Sequence, residues 1–204
     1  MRSGKSPFPM GFREKRNSPP CFTGIGTDIL PYMKLILING PCGVGKSTIA
    51  EKLHEEMPLS YLVDIDAISR NISHYREFNE ERRELRDAVA AATIEATLSV
   101  GRNVIIEKMI FDLKTLGDYE EIAKQHHADF LEIILWAEKE VVMQRASDRG
   151  WREGGLLTPE KCELFWERID ELRTIRKNAI FIDTSALNPN EVFETLKKSM
   201  NGHV

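Results

Sequence analysis

The chain has 204 residues and a net charge of −4, enough for one good-sized core and too little positive charge for a bulk electrostatic grip on nucleic acid or an anionic membrane. Its three cysteines, Cys21, Cys42 and Cys162, are too few and too irregularly spaced for a disulfide scaffold or a zinc site. No apolar run approaches the roughly 18 residues that a membrane span needs, so a cytoplasmic protein is the default expectation.

Residues 1–32 mix Lys5, Arg13, Lys15 and Arg16 with Pro7, Pro9, Pro19 and Pro20 and show no periodicity. They lack the apolar core of a secretory signal. The expectation is a disordered tail, or translated sequence upstream of a start at Met33, with a basic organelle-targeting leader as the alternative. Residues 33–204 then form a single domain.

That domain is organised around Met33 to Leu53. Lys34 to Asn39 is a short apolar strand, Gly40 to Ser47 (GPCGVGKS) fits G-x-x-x-x-G-K-[ST], and Ile49, Leu53 and Met57 carry a helical spacing after it. Strand, glycine-rich loop and helix are the context a phosphate-binding loop requires. The glycines let successive backbone N–H groups point at one phosphate, and the helix adds its positive end. The stretch Gly40, Cys42, Gly43, Val44, Gly45, Lys46, Ser47 and Thr48 therefore supplies the candidate contacts to ATP. Lys46 would reach the β- and γ-phosphates, and the Ser47 hydroxyl would reach Mg²⁺.

Pro58 ends the first helix, and Tyr61 to Asp66 (YLVDID) is the second expected strand. Acidic residues at the C-terminal end of a strand sit where open α/β sheets place their ligands. Asp64 is the candidate for chemistry; Asp66 is either a Mg²⁺ ligand or the cap of a helix beginning at Ala67. Asn79 to about Val100 is a long helix whose expected buried stripe is Leu85, Val89, Ala92 and Ala96. Its first turns hold ion pairs such as Arg83 with Asp87, and one or two arginines there can point into the cleft. Val104 to Glu107 is the third strand, with Glu107 as the candidate metal carboxylate, and Asp112 is a helix cap or a further acid.

Phe130 to Ala137 is the fourth strand. Glu138 to Asp148 is a helix leading into a loop with Arg149, Arg152 and several glycines, a composition suited to a lid over a transferring phosphoryl group, or else to a basic surface loop. Arg145 shares a helical face with Arg149. Thr158 and Pro159 start the next helix, with Cys162, Phe165, Ile169, Leu172 and Ile175 as its core stripe. Ala179 to Asp183 is the fifth strand, and Ser185 and Ala186 after it are candidates for the adenine edge. A last helix spans about Asn188 to Met200. Strands alternating with helices imply a parallel α/β sheet covered on both faces.

From about residue 34 to 200 this arrangement resembles the small P-loop kinases, the family that includes shikimate kinase, gluconate kinase, chloramphenicol phosphotransferase and the zeta-toxin group. The matching stretches are Lys34 to Ser47, Val63-Asp64-Ile65-Asp66, the arginine-bearing Arg145 to Gly155 within an expected lid at about 145–157, and Ile182-Asp183-Thr184-Ser185. The resemblance implies a three-layer P-loop NTPase fold with strand order 2-3-1-4-5 and a small lid. It also implies ATP with Mg²⁺ as cofactors, Asp64 acting on an acceptor hydroxyl or helping to hold Mg²⁺, and Arg149 and Arg152 closing over the γ-phosphoryl group. Ser47, Glu107 and Asp66 are the expected Mg²⁺ neighbours, though many relatives have Asp where Glu107 stands. The expected activity is phosphoryl transfer to a small hydroxyl-bearing molecule by a monomer or homodimer. A kinase acting on a nucleotide or on the 5′ hydroxyl of RNA, and a non-catalytic NTP-dependent regulator, stay open.

Overall fold

The central strand β1 (Lys34–Asn39) is apolar along its length because a parallel sheet leaves neither face to water. In the computed structural model, which describes residues 33–151 and 157–201, Leu35, Ile36, Leu37 and Ile38 are wholly buried. β1 pairs in parallel with β3 (Val104–Glu107) on one side and β4 (Asp129–Trp136) on the other. β2 (Tyr61–Asp64) and β5 (Ile180–Asp183) form the edges, giving the order β2-β3-β1-β4-β5. The order matches the one the resemblance implies.

The helices described are α1 (Lys46–Glu56), α2 (Ile65–Arg70), α3 (Asn79–Ser99), α4 (Leu113–Gln125), α5 (Lys139–Asp148), α6 (Pro159–Ile175) and α7 (Pro189–Asn201). Alternation along β1 sends Ile36 and Ile38 to one face, against Ile49 and Leu53 of α1 and Val192 and Leu196 of α7. Leu35 and Leu37 go to the other, against Ile94 and Leu98 of α3, Leu116 of α4 and Ile169 of α6. Each such aliphatic side chain contributes about 1.5–3 kcal/mol by leaving water, so the two layers clamp the sheet from both sides. None of the described helices is long and apolar enough to cross a membrane.

Several local expectations need correcting. β2 ends at Asp64 rather than Asp66, and Asp64 itself caps α2, its carboxylate accepting from the Ala67 N–H at 2.8 Å. Asp66 is not that cap; it lies in the first turn of α2. The buried stripe of α3 is Ala90, Ile94 and Leu98, while Leu85 and Val89 face outward, 50% and 42% exposed. On the same helix Arg83 pairs with Glu80, and Asp87 is taken by Arg86. Ile175 of α6 is likewise exposed. Asp112 is a cap, accepting from Lys114 and Thr115.

Parallel strands with helical crossovers put every strand's C-terminal end, and the N-terminal end of the helix after it, on the same side of the molecule. That side carries the P-loop, the acids of β2 and β3, and the start of α5.

Candidate active site

The P-loop begins at a close approach. Gly40 has φ 143°, and a Cβ there would fall 2.2 Å from the Leu135 carbonyl oxygen of β4, so no larger residue fits without moving the backbone. The turn is fastened from below by Asn39, which is fully buried. Its Oδ1 accepts from the N–H groups of Gly40 (2.8 Å) and Ile110 (2.9 Å), and its Nδ2 donates to the Ile110 carbonyl (2.7 Å) and to Glu132 (3.3 Å). Buried Glu132 is held in turn by Arg176 at 2.6 Å. Sequence reasoning missed this network. Its signal was a polar Asn closing an apolar strand and a Glu within another.

Gly45 caps α1 in the left-handed conformation (φ 93°) with no side-chain capping bond, so no side chain occupies the helix's first N–H groups. Lys46 folds back to donate to the Pro41 carbonyl at 2.9 Å. Burial lowers its pKa, and the nearby Glu107 carboxylate works against that shift. For Glu107 burial raises the pKa and Lys46 opposes it. The two groups thus share one partly desolvated corner, each favouring the other's charged form.

Asp64 and Glu107 end neighbouring strands at the same register. Asp64 is half-exposed and also meets Arg70 at 3.1 Å. Asp66 is paired with Lys108, the residue after β3. Among the described residues no three His, Cys, Asp or Glu side chains gather into a metal-binding group. Mg²⁺ commonly takes one or two carboxylates together with substrate phosphates, and Glu107, Asp66 and the exposed Ser47 hydroxyl are the hard oxygen donors available here. The donor set therefore fits a metal delivered with a nucleotide.

On the other flank of the loop lies a cavity of about 360 Å³, lined by Gly43, Gly45, Thr48, Arg145, Arg149 and Thr184 among others. Arg145 bridges its two walls, donating from α5 to the hydroxyl (3.2 Å) and carbonyl (2.9 Å) of Thr184 after β5. Arg145 and Arg149 thus meet on one cavity. The Ser185 hydroxyl is engaged instead by Asp183 and by the Glu138 N–H (2.9 Å), and Ala186 is exposed outside the lining. Of this segment, Thr184 and Leu187 line the cavity. Arg152, with residues 152–156 of the expected lid, lies outside the described residues, as do residues 1–32. The buried Cys162 thiol of α6 is pushed up to about 12, chiefly by burial and also by Cys42 of the loop.

These positions separate two effects. Arg145→Met should weaken ATP binding roughly tenfold, because it removes a cation that braces the cavity, with little change in kcat. Arg149→Ala should instead lower kcat by about tenfold or more, since a charge at the rim counts most as the phosphoryl group moves. Calorimetric titration of ATP beside steady-state rates distinguishes them; equal effects of both variants on Kd alone would remove Arg149 from the chemistry.

A family model described as AAA domain matches residues 35–161. A Pyrococcus furiosus protein provisionally designated an adenylate kinase is 26% identical over 171 residues, 83% of this chain and 86% of that one. Among solved structures, the Deinococcus radiodurans tunicamycin resistance protein superposes with a TM-score of 0.62 at 23% identity, covering 82% of this chain and 95% of its own. A gluconokinase from Sinorhizobium meliloti gives 0.61 at 15% identity, with 84% and 97% covered. The two structures share the fold.

Proposed function

From a chain that belongs to the AAA domain family and has the fold of P-loop kinases, we propose an enzyme that transfers the γ-phosphoryl group of ATP to a hydroxyl of a small molecule. The observation that carries this reading is the corner where P-loop Lys46 meets the strand-end acids, opposite the cavity that Arg145 braces. A nucleotide laid along the loop would have its base in that cavity and its terminal phosphate toward Asp64.

In this reading Lys46 exchanges the Pro41 carbonyl for the β- and γ-phosphate oxygens, and the amides of Gly43 to Ser47 surround the remaining charge. Mg²⁺ bound with the nucleotide would neutralise developing charge on the phosphate oxygens. Glu107, Asp66 and Ser47 are the residues to hold it. Asp64 orients the acceptor hydroxyl and takes its proton late in transfer. Capping α2 and pairing with Arg70 use part of its two oxygens' accepting capacity and fix its rotamer. Arg149, which lines the cavity beside Arg145, would swing across the loop on closure to cover the γ-phosphoryl oxygens with Arg152 and exclude water as a competing acceptor.

Glu107→Gln should raise the Mg²⁺ concentration for half-maximal rate by about tenfold, since it exchanges a charged ligand for a neutral one. Because burial raises the Glu107 pKa, kcat/KM of the wild type should also fall on an acid limb placed above the ordinary carboxylate range. Rates against Mg²⁺ and pH check both; an unchanged metal requirement would take Glu107 out of the metal role.

A second reading, transfer to a phosphate of a nucleoside monophosphate, draws on the likeness to the Pyrococcus furiosus protein. The deciding experiment is acceptor-dependent ADP release from ATP over hydroxylated metabolites, nucleosides, nucleoside monophosphates and 5′-hydroxyl RNA. Turnover with a small alcohol supports the first reading. Turnover confined to monophosphates selects the second, and none with any acceptor points to a regulator.

A further inference from the structure

A carboxylate inside an apolar strand is costly. Glu132 of β4 is 4% exposed and lies level with Leu37 of β1. Burying a charge lowers stability even where it is paired, and an apolar residue of similar size would serve packing better. The role of Glu132 is therefore a polar one. Its Oε1 accepts from the Asn39 Nδ2 at 3.3 Å, and its Oε2 accepts from the Arg176 Nε at 2.6 Å. Arg176, at the end of α6, is gripped on its other side by Glu120 of α4. A chain of contacts thus runs from an exposed acid on α4 to the residue that opens the P-loop.

Asn39 uses the full capacity of its amide, two bonds accepted at Oδ1 and two donated from Nδ2. Those bonds join two separate loops. Gly40 begins the P-loop, and Ile110 lies three residues after Glu107, the candidate metal carboxylate. Turning the amide over would set Oδ1 against the Glu132 carboxylate and Nδ2 against the two N–H groups. Because an ionised carboxylate only accepts, Glu132 holds the amide in the orientation that ties the loops together. Arg176 supplies the opposing charge that makes the buried acid tolerable.

Resting on the nucleotide-binding reading above, we propose that Glu132 is a positioning residue for Mg·ATP. Through Asn39 it sets the P-loop and the loop after Glu107 at one spacing, so that bound phosphates and the metal carboxylate meet. Glu132 itself touches neither nucleotide nor metal. Arg176 and Glu120 hold it from behind, as outer partners hold the ligands of a metal site.

Glu132→Gln tests this with an amide of nearly the same shape. Its single oxygen cannot serve two donors. Facing Asn39, it leaves its NH₂ against Arg176; facing Arg176, it sets that NH₂ against the Asn39 Nδ2. Hydrogen exchange in the ligand-free protein should therefore show protection lost at the Gly40 and Ile110 amides. The amides of α7, which packs on the opposite face of the sheet, should keep theirs. By calorimetry the Kd for Mg·ATP should rise about tenfold to a hundredfold, and that for ATP in EDTA much less. Adding Arg176→Met removes the competing donor, frees the Gln oxygen for Asn39 and should recover most of both losses. Where Glu132→Gln does not fold, Arg176→Lys keeps the charge without the directed Nε–H and should show the same local losses in smaller measure. Protection lost evenly along the chain, or equal shifts for Mg·ATP and metal-free ATP, makes Glu132 a contributor to stability alone and overturns the inference. Should the wild type bind no ATP, the nucleotide reading fails by itself. The exchange pattern at Gly40 and Ile110 then still decides whether Glu132 ties the two loops.

Discussion

Lys46→Ala should lower kcat/KM by on the order of 3 kcal/mol or more, over a hundredfold, while the protein stays folded. The charge is needed most where negative charge spreads over the transferring phosphoryl oxygens, and no other lysine lies on the loop. Its effect on stability should run the other way. Burial lowers the pKa of Lys46 below its unfolded value, so relative to the unfolded chain this group favours folding only above the ordinary lysine range. That contribution is lost as pH falls through the lowered pKa. At neutral pH the charged Lys46 is a cost to folding, only partly offset by Glu107 and by its bond to Pro41. Thermal melts at pH 7 should therefore show the variant at or above the wild-type Tm. Activity near wild type would remove Lys46 from catalysis, and a large fall in Tm would overturn the electrostatic account of its burial.

Asp64→Asn should reduce kcat by about a hundredfold to ten-thousandfold, the span associated with a positioned acid–base group. ATP affinity should stay within about tenfold, because the carboxylate serves the acceptor side. The substitution is informative because Asn caps helices about as well as Asp, so α2 keeps its bond from the Ala67 N–H. The lost pairing with Arg70 is exposed and of small value. Asp64→Ala would mix the two effects, adding a cap loss of about 1 kcal/mol. Single-turnover rates, ATP calorimetry and thermal melts on the Asn variant separate chemistry from folding. A kcat within a few-fold of wild type would reduce Asp64 to a cap.

The place of Asp64 as the cap of α2 also shows what the sequence could and could not disclose. The first strand, the loop and the first helix were legible because one motif specifies backbone conformation, charge and helix start together. The second strand was read two residues too long, since an apolar–acidic alternation is equally consistent with a strand and with the cap and first turn of a helix. The stripe of α3 was placed on the wrong face because the helix carries two apolar rows, and period alone cannot choose between them. Side-chain volume could have chosen, as Ile94 and Leu98 are bulkier than Ala92 and Ala96. Around the site, Lys46 and the acids stood out by motif and strand-end position. Asn39 and Glu132 did not, because their role depends on partners from three distant strands and loops. The loop after β5 does border the cavity beside the P-loop, but through Thr184 rather than Ser185, since only the fold reveals which hydroxyl the backbone turns inward.

The position of β1 has a consequence for how the chain reaches this structure. It is the middle strand, and its two neighbours, β3 and β4, come from far along the sequence. The P-loop leaves β1 at Gly40 against the Leu135 carbonyl of β4, with its base tied to Ile110 and Glu132. Topologies of this kind must close long loops before their central pairings form, which slows folding. The nucleotide-gripping turn, although encoded by eight consecutive residues, cannot take shape as a local event during synthesis. Its amides should gain protection from hydrogen exchange in the same late, cooperative step as β4, and a chain truncated before β4 should bind no ATP.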